Sequence, residues 1–123
     1  MPKLDDIAVG TELPALTVPV TVALINGGAI ATRDYFPGHH DLDAARELGS
    51  PHIFMNILTT NGLVQRFIDE WRGPQGRLRD LKIKLGPPNS PGDSMTISGA
   101  GSDKRDRDRT VEVTLKGANS MGN

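Results

Sequence analysis

One stretch of this chain, Ile53 to Trp71, carries a sustained helical pattern, and most of the remaining sequence reads as β or as turn. Ile57, Val64, Ile68 and Trp71, with Leu63 and Phe67, recur at the spacing that lines one helix face. Asn56 has the chemistry of an N-cap, and Gly73-Pro74 stops the helix, so the helix is placed at about 56–71. Four small or polar residues, Thr59-Thr60-Asn61-Gly62, interrupt the apolar run. They fit either a solvated turn of helix or a site where a ligand or another backbone comes close. Residues 15–25 are rich in β-branched side chains and read as a strand, with Pro19 at an edge or just before the strand begins. Asn26-Gly27-Gly28 is expected to break that strand, and Ala29 to Arg33 to form a second short extended piece. Beyond the helix, Leu78 to Leu85 alternates apolar and charged residues. Ser94 to Ala100 and Thr110 to Leu115 also read as strands, with a charged loop over Ser102 to Arg109. One long helix followed by consecutive antiparallel strands predicts an α+β domain with the sheet curled around the helix. The closing Asn119-Ser-Met-Gly-Asn123 reads as a turn from which one more strand is expected to return.

At 123 residues a single domain spanning 1–123 is the natural expectation. Fourteen basic residues balance fifteen acidic ones, a net charge of −1, so no basic field for nucleic acid is present. The absence of cysteine removes thiol catalysis and thiolate metal sites. Met-Pro-Lys-Leu-Asp-Asp lacks the basic-then-apolar order of a signal peptide, and no apolar run reaches the length of a membrane span. A soluble, cytoplasmic domain is expected.

The chemistry concentrates in Asp34-Tyr-Phe-Pro-Gly-His39-His40-Asp41. Asp34 and His39 are five residues apart, the wrong offset for one helix face, and Pro37-Gly38 forbids a helix between them. The segment reads as a strand end, a tight turn and a short helix from about Asp41 to Glu47. Such a turn can aim a carboxylate and an imidazole at one small volume, which suits a water molecule that must lose a proton. Asp41 and Asp43 read as the cap and first-turn acid of the short helix. His40 and His52 read as structural neighbours, and Trp71 as core or interface.

Residues 34–45 resemble the signature of the MaoC-like (R-specific) enoyl-CoA hydratases, Asp-x-Asn-Pro-aliphatic-His, five residues, then Ala or Ser. That family has the hot dog fold, an antiparallel sheet wrapped around one long helix. Its Ile-x-His-Gly at the helix start falls on Phe54-Met-Asn56-Ile57, and its Pro-x-x-x-Gly-Asp turn on Pro88 to Asp93. Three positions depart from the pattern: Arg33 stands for Gly, Phe36 for Asn and Ile57 for Gly. The run Thr-Arg-Asp…His-His-Asp…Ile-Phe-Met-Asn-Ile-Leu-Thr is similar to one subgroup, the small subunits of heteromeric steroid enoyl-CoA hydratases of bacterial cholesterol side-chain degradation.

The resemblance implies hydration of a 2-enoyl-CoA thioester, with Asp34 and His39 as the catalytic pair. Asn56 and the Ile57 backbone N–H would bind substrate, the latter as oxyanion donor. Base and acid roles within the pair stay open. It implies no metal and no cofactor beyond the coenzyme A of the substrate. The implied partner is a larger MaoC-like subunit, of a kind often fused to an OB-fold domain, in a heterodimer or α2β2 heterotetramer. Three alternatives share the fold: a dehydratase subunit of fatty-acid metabolism, a non-catalytic scaffold, and a thioesterase, which would place its acid on the central helix. Lys104 to Arg109 alternates in sign and reads as a solvated loop, with a phosphate-binding rim as the sharper alternative.

Overall fold

The computed structural model describes residues 6–122. Three strands, β1 (Glu12–Pro19), β2 (Ser94–Arg105) and β3 (Thr110–Ala118), form one antiparallel sheet in the order β1-β2-β3. Three helices, α1 (Val22–Ala31), α2 (Leu42–Glu47) and α3 (Ile57–Arg72), pack with it. A 3₁₀ turn at Pro37–His39 precedes α2.

The long helix forms where its pattern predicts, between an Asn56 cap that accepts the Thr59 N–H at 3.1 Å and a Gly73 stop at φ 71°. Leu63, Val64, Phe67 and Ile68 are its buried face, packed with Leu13, Val18, Ile25, Ala45, Met95 and Ile97. Each such large side chain contributes about 1.5–3 kcal/mol when fully removed from water. The helix is uninterrupted at Gly62, where an added Cβ would meet nothing within 4 Å. The close approach lies three residues earlier: a Cβ on Gly28 of α1 would overlap Thr59 Oγ1 and sit 2.9 Å from its Cγ2.

Residues 20–33 depart most from the sequence reading. The strand ends at Pro19, and the chain turns into α1 at Thr21, whose hydroxyl accepts the Leu24 N–H at 3.0 Å. The β-branched run across 20–22 is overridden by this cap and by burial of Ile25 and Ala29, four apart on one helix face. Asn26-Gly27-Gly28 therefore lies inside a helix, and Gly28 permits contact with α3. The piece expected to be extended, 29–33, is the end of α1 and its cap.

Two β assignments also change. Leu78 to Leu85 runs without regular secondary structure. Leu78, Leu81 and Ile83 pack against the core while Lys82 and Lys84 stay exposed, so the alternation reports one-sided burial rather than a hydrogen-bonded ladder. The charged loop shrinks to Asp106–Arg109, because β2 continues to Arg105, paired with Thr110. Arg105 lies 3.4 Å from Asp103 on its own strand and 3.7 Å from Glu112 across the hairpin, so the charges pair both along and between the strands. The turn after β3 forms as a tight reversal, with backbone hydrogen bonds in both directions between Asn119 and Gly122.

Candidate active site

Asp34 owes its place to the end of α1. The Asp34 N–H reaches back to the Ala29 carbonyl at 2.8 Å and the Arg33 N–H to Ile30 at 3.0 Å, the paired bonds of a Schellman cap. The residue between helix and Asp34 must then be left-handed, and Arg33 has φ 57°. A side chain there costs about 1–2 kcal/mol relative to the right-handed region, a cost that glycine would escape. Arg33→Gly is expected to raise stability by about 0.5–1 kcal/mol, part of the relief being offset by the looser unfolded chain. A rise in urea midpoint at unchanged m-value would register it.

From Asp34 the chain makes an Asx turn, with Oδ1 accepting the Phe36 N–H at 3.3 Å. Pro37 opens the 3₁₀ turn that carries His39 inward, where it is 6 % exposed. Gly38 is buried, and a Cβ on it would lie 2.7 Å from the Phe54 ring and 2.9 Å from the Phe36 ring. Those two rings pack edge-on to the His39 imidazole, at centroid distances of 5.0 and 5.5 Å. The turn is tied to the entry of α3 by a hydrogen bond from the Phe54 N–H to the Gly38 carbonyl at 3.1 Å.

His39 Nε2 lies 3.2 Å from Asp34 Oδ2, and the two side chains line one cavity of ≈ 600 Å³. The opposite ring nitrogen, Nδ1, lies 2.7 Å from the Phe54 carbonyl oxygen. A carbonyl can only accept, so Nδ1 carries hydrogen. Nε2 would then face the carboxylate with a lone pair unless a second proton lies between them. A carboxylate oxygen and an imidazole nitrogen are thus placed within hydrogen-bond reach of each other. The Asp34 carboxyl is held below the usual carboxylate range. The main cause is the Asn56 amide donating to it; partial burial opposes this, and the Phe36 N–H and His39 reinforce it.

Asn56 is 1 % exposed, and Ile57, the first residue of α3, is 58 % exposed. Both line the same cavity as Asp34 and His39, so all four predicted residues are gathered there. The Ile57 and Leu58 N–H groups have no hydrogen-bond partner among the described residues, as expected in a first helical turn. His40 and His52 stand aside. His40 Nε2 donates to the Tyr35 carbonyl at 3.2 Å, and His52 Nδ1 accepts the Ile53 N–H at 2.8 Å. Asp41 caps α2 by accepting the Asp43 and Ala44 N–H groups. Trp71 is partly buried against the core. Sequence reasoning missed Thr32, which joins this site through α1, and the orienting carbonyl of Phe54. A backbone group leaves no side-chain signal, and Thr32 lay in a segment read as extended.

A hot dog sheet and helix with an Asp/His pair on one cavity wall define a class, and the chain belongs to the MaoC-like hydratase family. It is 40 % identical over 114 residues, 93 % of its own length and 87 % of the relative's, to the 3-oxo-4,17-pregnadiene-20-carboxyl-CoA hydratase beta subunit of Mycobacterium tuberculosis. Its structure superposes with a TM-score of 0.89 and 38 % identity on a chain of the ChsH1–ChsH2 complex from the same organism, covering 94 % of this chain and 89 % of that one. The fold is shared with the R-hydratase PhaJ1 from Pseudomonas aeruginosa, at TM-score 0.86 and 16 % identity over 98 % of this chain and 77 % of the other. No family model matches the chain. Among the described residues no helix is long and apolar enough to cross a membrane.

Proposed function

We propose that this chain is the Asp/His-bearing subunit of a heteromeric hydratase that adds water to a steroid side-chain 2-enoyl-CoA. The observation that carries the reading is the 3.2 Å Asp34–His39 contact on the wall of the cavity. Water placed against the pair gives one proton to the Asp34 carboxylate as its oxygen bonds to the β-carbon. The double bond's electrons move toward the thioester carbonyl, and the α-carbon takes the proton held at His39 Nε2. Transfer of the new proton from Asp34 to Nε2 restores the pair. Water is consumed whole, and no oxidation state changes overall, so acid–base groups suffice. The free N–H of Ile57 is the donor that would stabilise the enolate-like oxygen, aided by the helix dipole.

The substrate class rests on the named activity of the 40 % identical relative. The partner, a larger MaoC-like subunit in a heterodimer or heterotetramer, rests on similarity to a chain of a two-component complex. Exposed apolar side chains beside the cavity agree with a covered site: Tyr35 at 66 %, Phe36 at 46 %, Ile57 at 58 % and Leu58 at 52 %. The thioesterase reading loses ground because the acids at the far end of α3 are engaged elsewhere. Asp69 pairs with Arg72 and Glu70 with Arg66, each at 2.8 Å.

The test is to co-express the chain with a candidate larger subunit and follow loss of enoyl-thioester absorbance with a steroid enoyl-CoA. Hydration by the assembly is the expected result. Release of free coenzyme A would instead identify a thioesterase, and turnover only of carrier-protein thioesters a fatty-acid dehydratase. Either outcome overturns the proposal.

A further inference from the structure

We propose that Asn56 and Thr32 form a positioning pair that fixes the angle of the Asp34 carboxylate to the His39 ring. The orientation of the Asn56 amide is decided by its partners. Its Oδ1 faces the Thr59 backbone N–H at 3.1 Å and also accepts from the Thr59 hydroxyl, and an N–H can only donate. The Nδ2 end therefore points the other way. Its two hydrogens go to Thr32 Oγ1 at 2.8 Å and Asp34 Oδ2 at 3.2 Å. Thr32 can accept because its own hydroxyl proton goes to the Gly28 carbonyl at 2.8 Å.

All the polar capacity of Asn56 is used inside the protein, and at 1 % exposure it acts through Asp34 rather than by touching substrate. The Asp34 side chain, by contrast, is 32 % exposed. Its Oδ1 is held by Phe36 and its Oδ2 by Asn56 and His39, so the carboxylate plane has contacts at both ends. Without the amide, only the Phe36 N–H and the ring would resist rotation into the cavity. The amide also favours the ionised carboxylate, as the lowered Asp34 pKa reflects. The other titratable groups lining the cavity are His39, Lys82, Lys84 and Lys116; Arg33 precedes Asp34 in the chain, and of all these only His39 lies within ion-pair distance of it.

The rate consequence rests on the hydration chemistry proposed above, so the experiment has one arm that needs no activity. Asn56→Asp keeps the volume and the helix cap but turns a second carboxylate toward Asp34. Thr32→Val removes the hydroxyl that anchors the amide at nearly constant shape, and Thr32→Ser keeps the hydroxyl. In the first arm, Asp34 is titrated by carboxyl ¹³C NMR in the chain itself. Its midpoint is expected to rise in Asn56→Asp and Thr32→Val and to stay at the wild-type value in Thr32→Ser. In the second, kcat for hydration by the assembled enzyme is expected to fall about 10- to 100-fold in Asn56→Asp, with KM within about twofold. Thr32→Val falls in the same direction, and Thr32→Ser retains activity. An unmoved Asp34 titration in the folded variants would overturn the proposal, as would a loss expressed in KM alone. If Asn56→Asp does not fold, the two Thr32 variants decide. A wild-type assembly that hydrates no enoyl-CoA would remove the proposed function, and the NMR arm would still decide whether Asn56 positions Asp34.

Discussion

Asp34→Asn and His39→Ala are each expected to lower hydration by the assembled enzyme about 10²- to 10⁴-fold, with the fold intact. Asp34→Asn keeps the shape of the side chain and removes its basicity. His39→Ala removes the imidazole proposed to supply the α-carbon's proton. The double variant is expected to be little worse than either single one, because the proposed mechanism has the two residues handle the same protons as a unit. Initial rates of enoyl-thioester loss, with circular dichroism to verify folding, would check this. Wild-type rates in both single variants would leave the dyad without a catalytic role.

Gly28→Ala is expected to destabilise the protein by about 1–3 kcal/mol through overpacking, less the gain of about 1 kcal/mol that alanine brings to a helix. The new methyl would collide with the Thr59 side chain, which is β-branched and stiff within α3. Its neighbour supplies the control. At Gly27 an added Cβ meets nothing within 4 Å, so Gly27→Ala takes only the helix gain and is expected to stabilise. Unfolding midpoints for the pair separate contact from propensity. Equal shifts in the two variants would show that α1 and α3 do not touch at Gly28. Because Thr59 also bonds to Asn56, Gly28→Ala is expected to reduce hydration as well, while Gly27→Ala leaves it unchanged.

The long helix was legible because all its determinants are local: the Asn56 cap, the 3.6-residue apolar face and the Gly73 stop. The Asp34–His39 turn was legible for a related reason, since Pro37 and Gly38 dictate backbone geometry by themselves. Helix α1 was hidden. Its β-branched entry and its two glycines both argue locally against a helix, and only packing of Ile25, Gly28 and Ala29 within the fold reverses that. The Arg33 position carried a clue, because a glycine expected before the aspartate marks a left-handed residue of the kind that ends helices. The 78–85 segment was misread for the opposite reason. Period-two alternation records which side of a chain is buried and is silent on whether another strand lies alongside.

The Phe54 carbonyl that holds His39 Nδ1 has a bearing on how charge is divided in this site. A peptide oxygen carries no net charge and does not titrate at any ordinary pH, so it orients the ring without offering an anion to balance an imidazolium. Among the described residues, the acidic group within ion-pair distance of the ring is Asp34. In the proposed mechanism the carboxylate therefore has two functions, as acceptor of water's proton and as the neighbouring anion of the ring, and neutralising it would remove both at once.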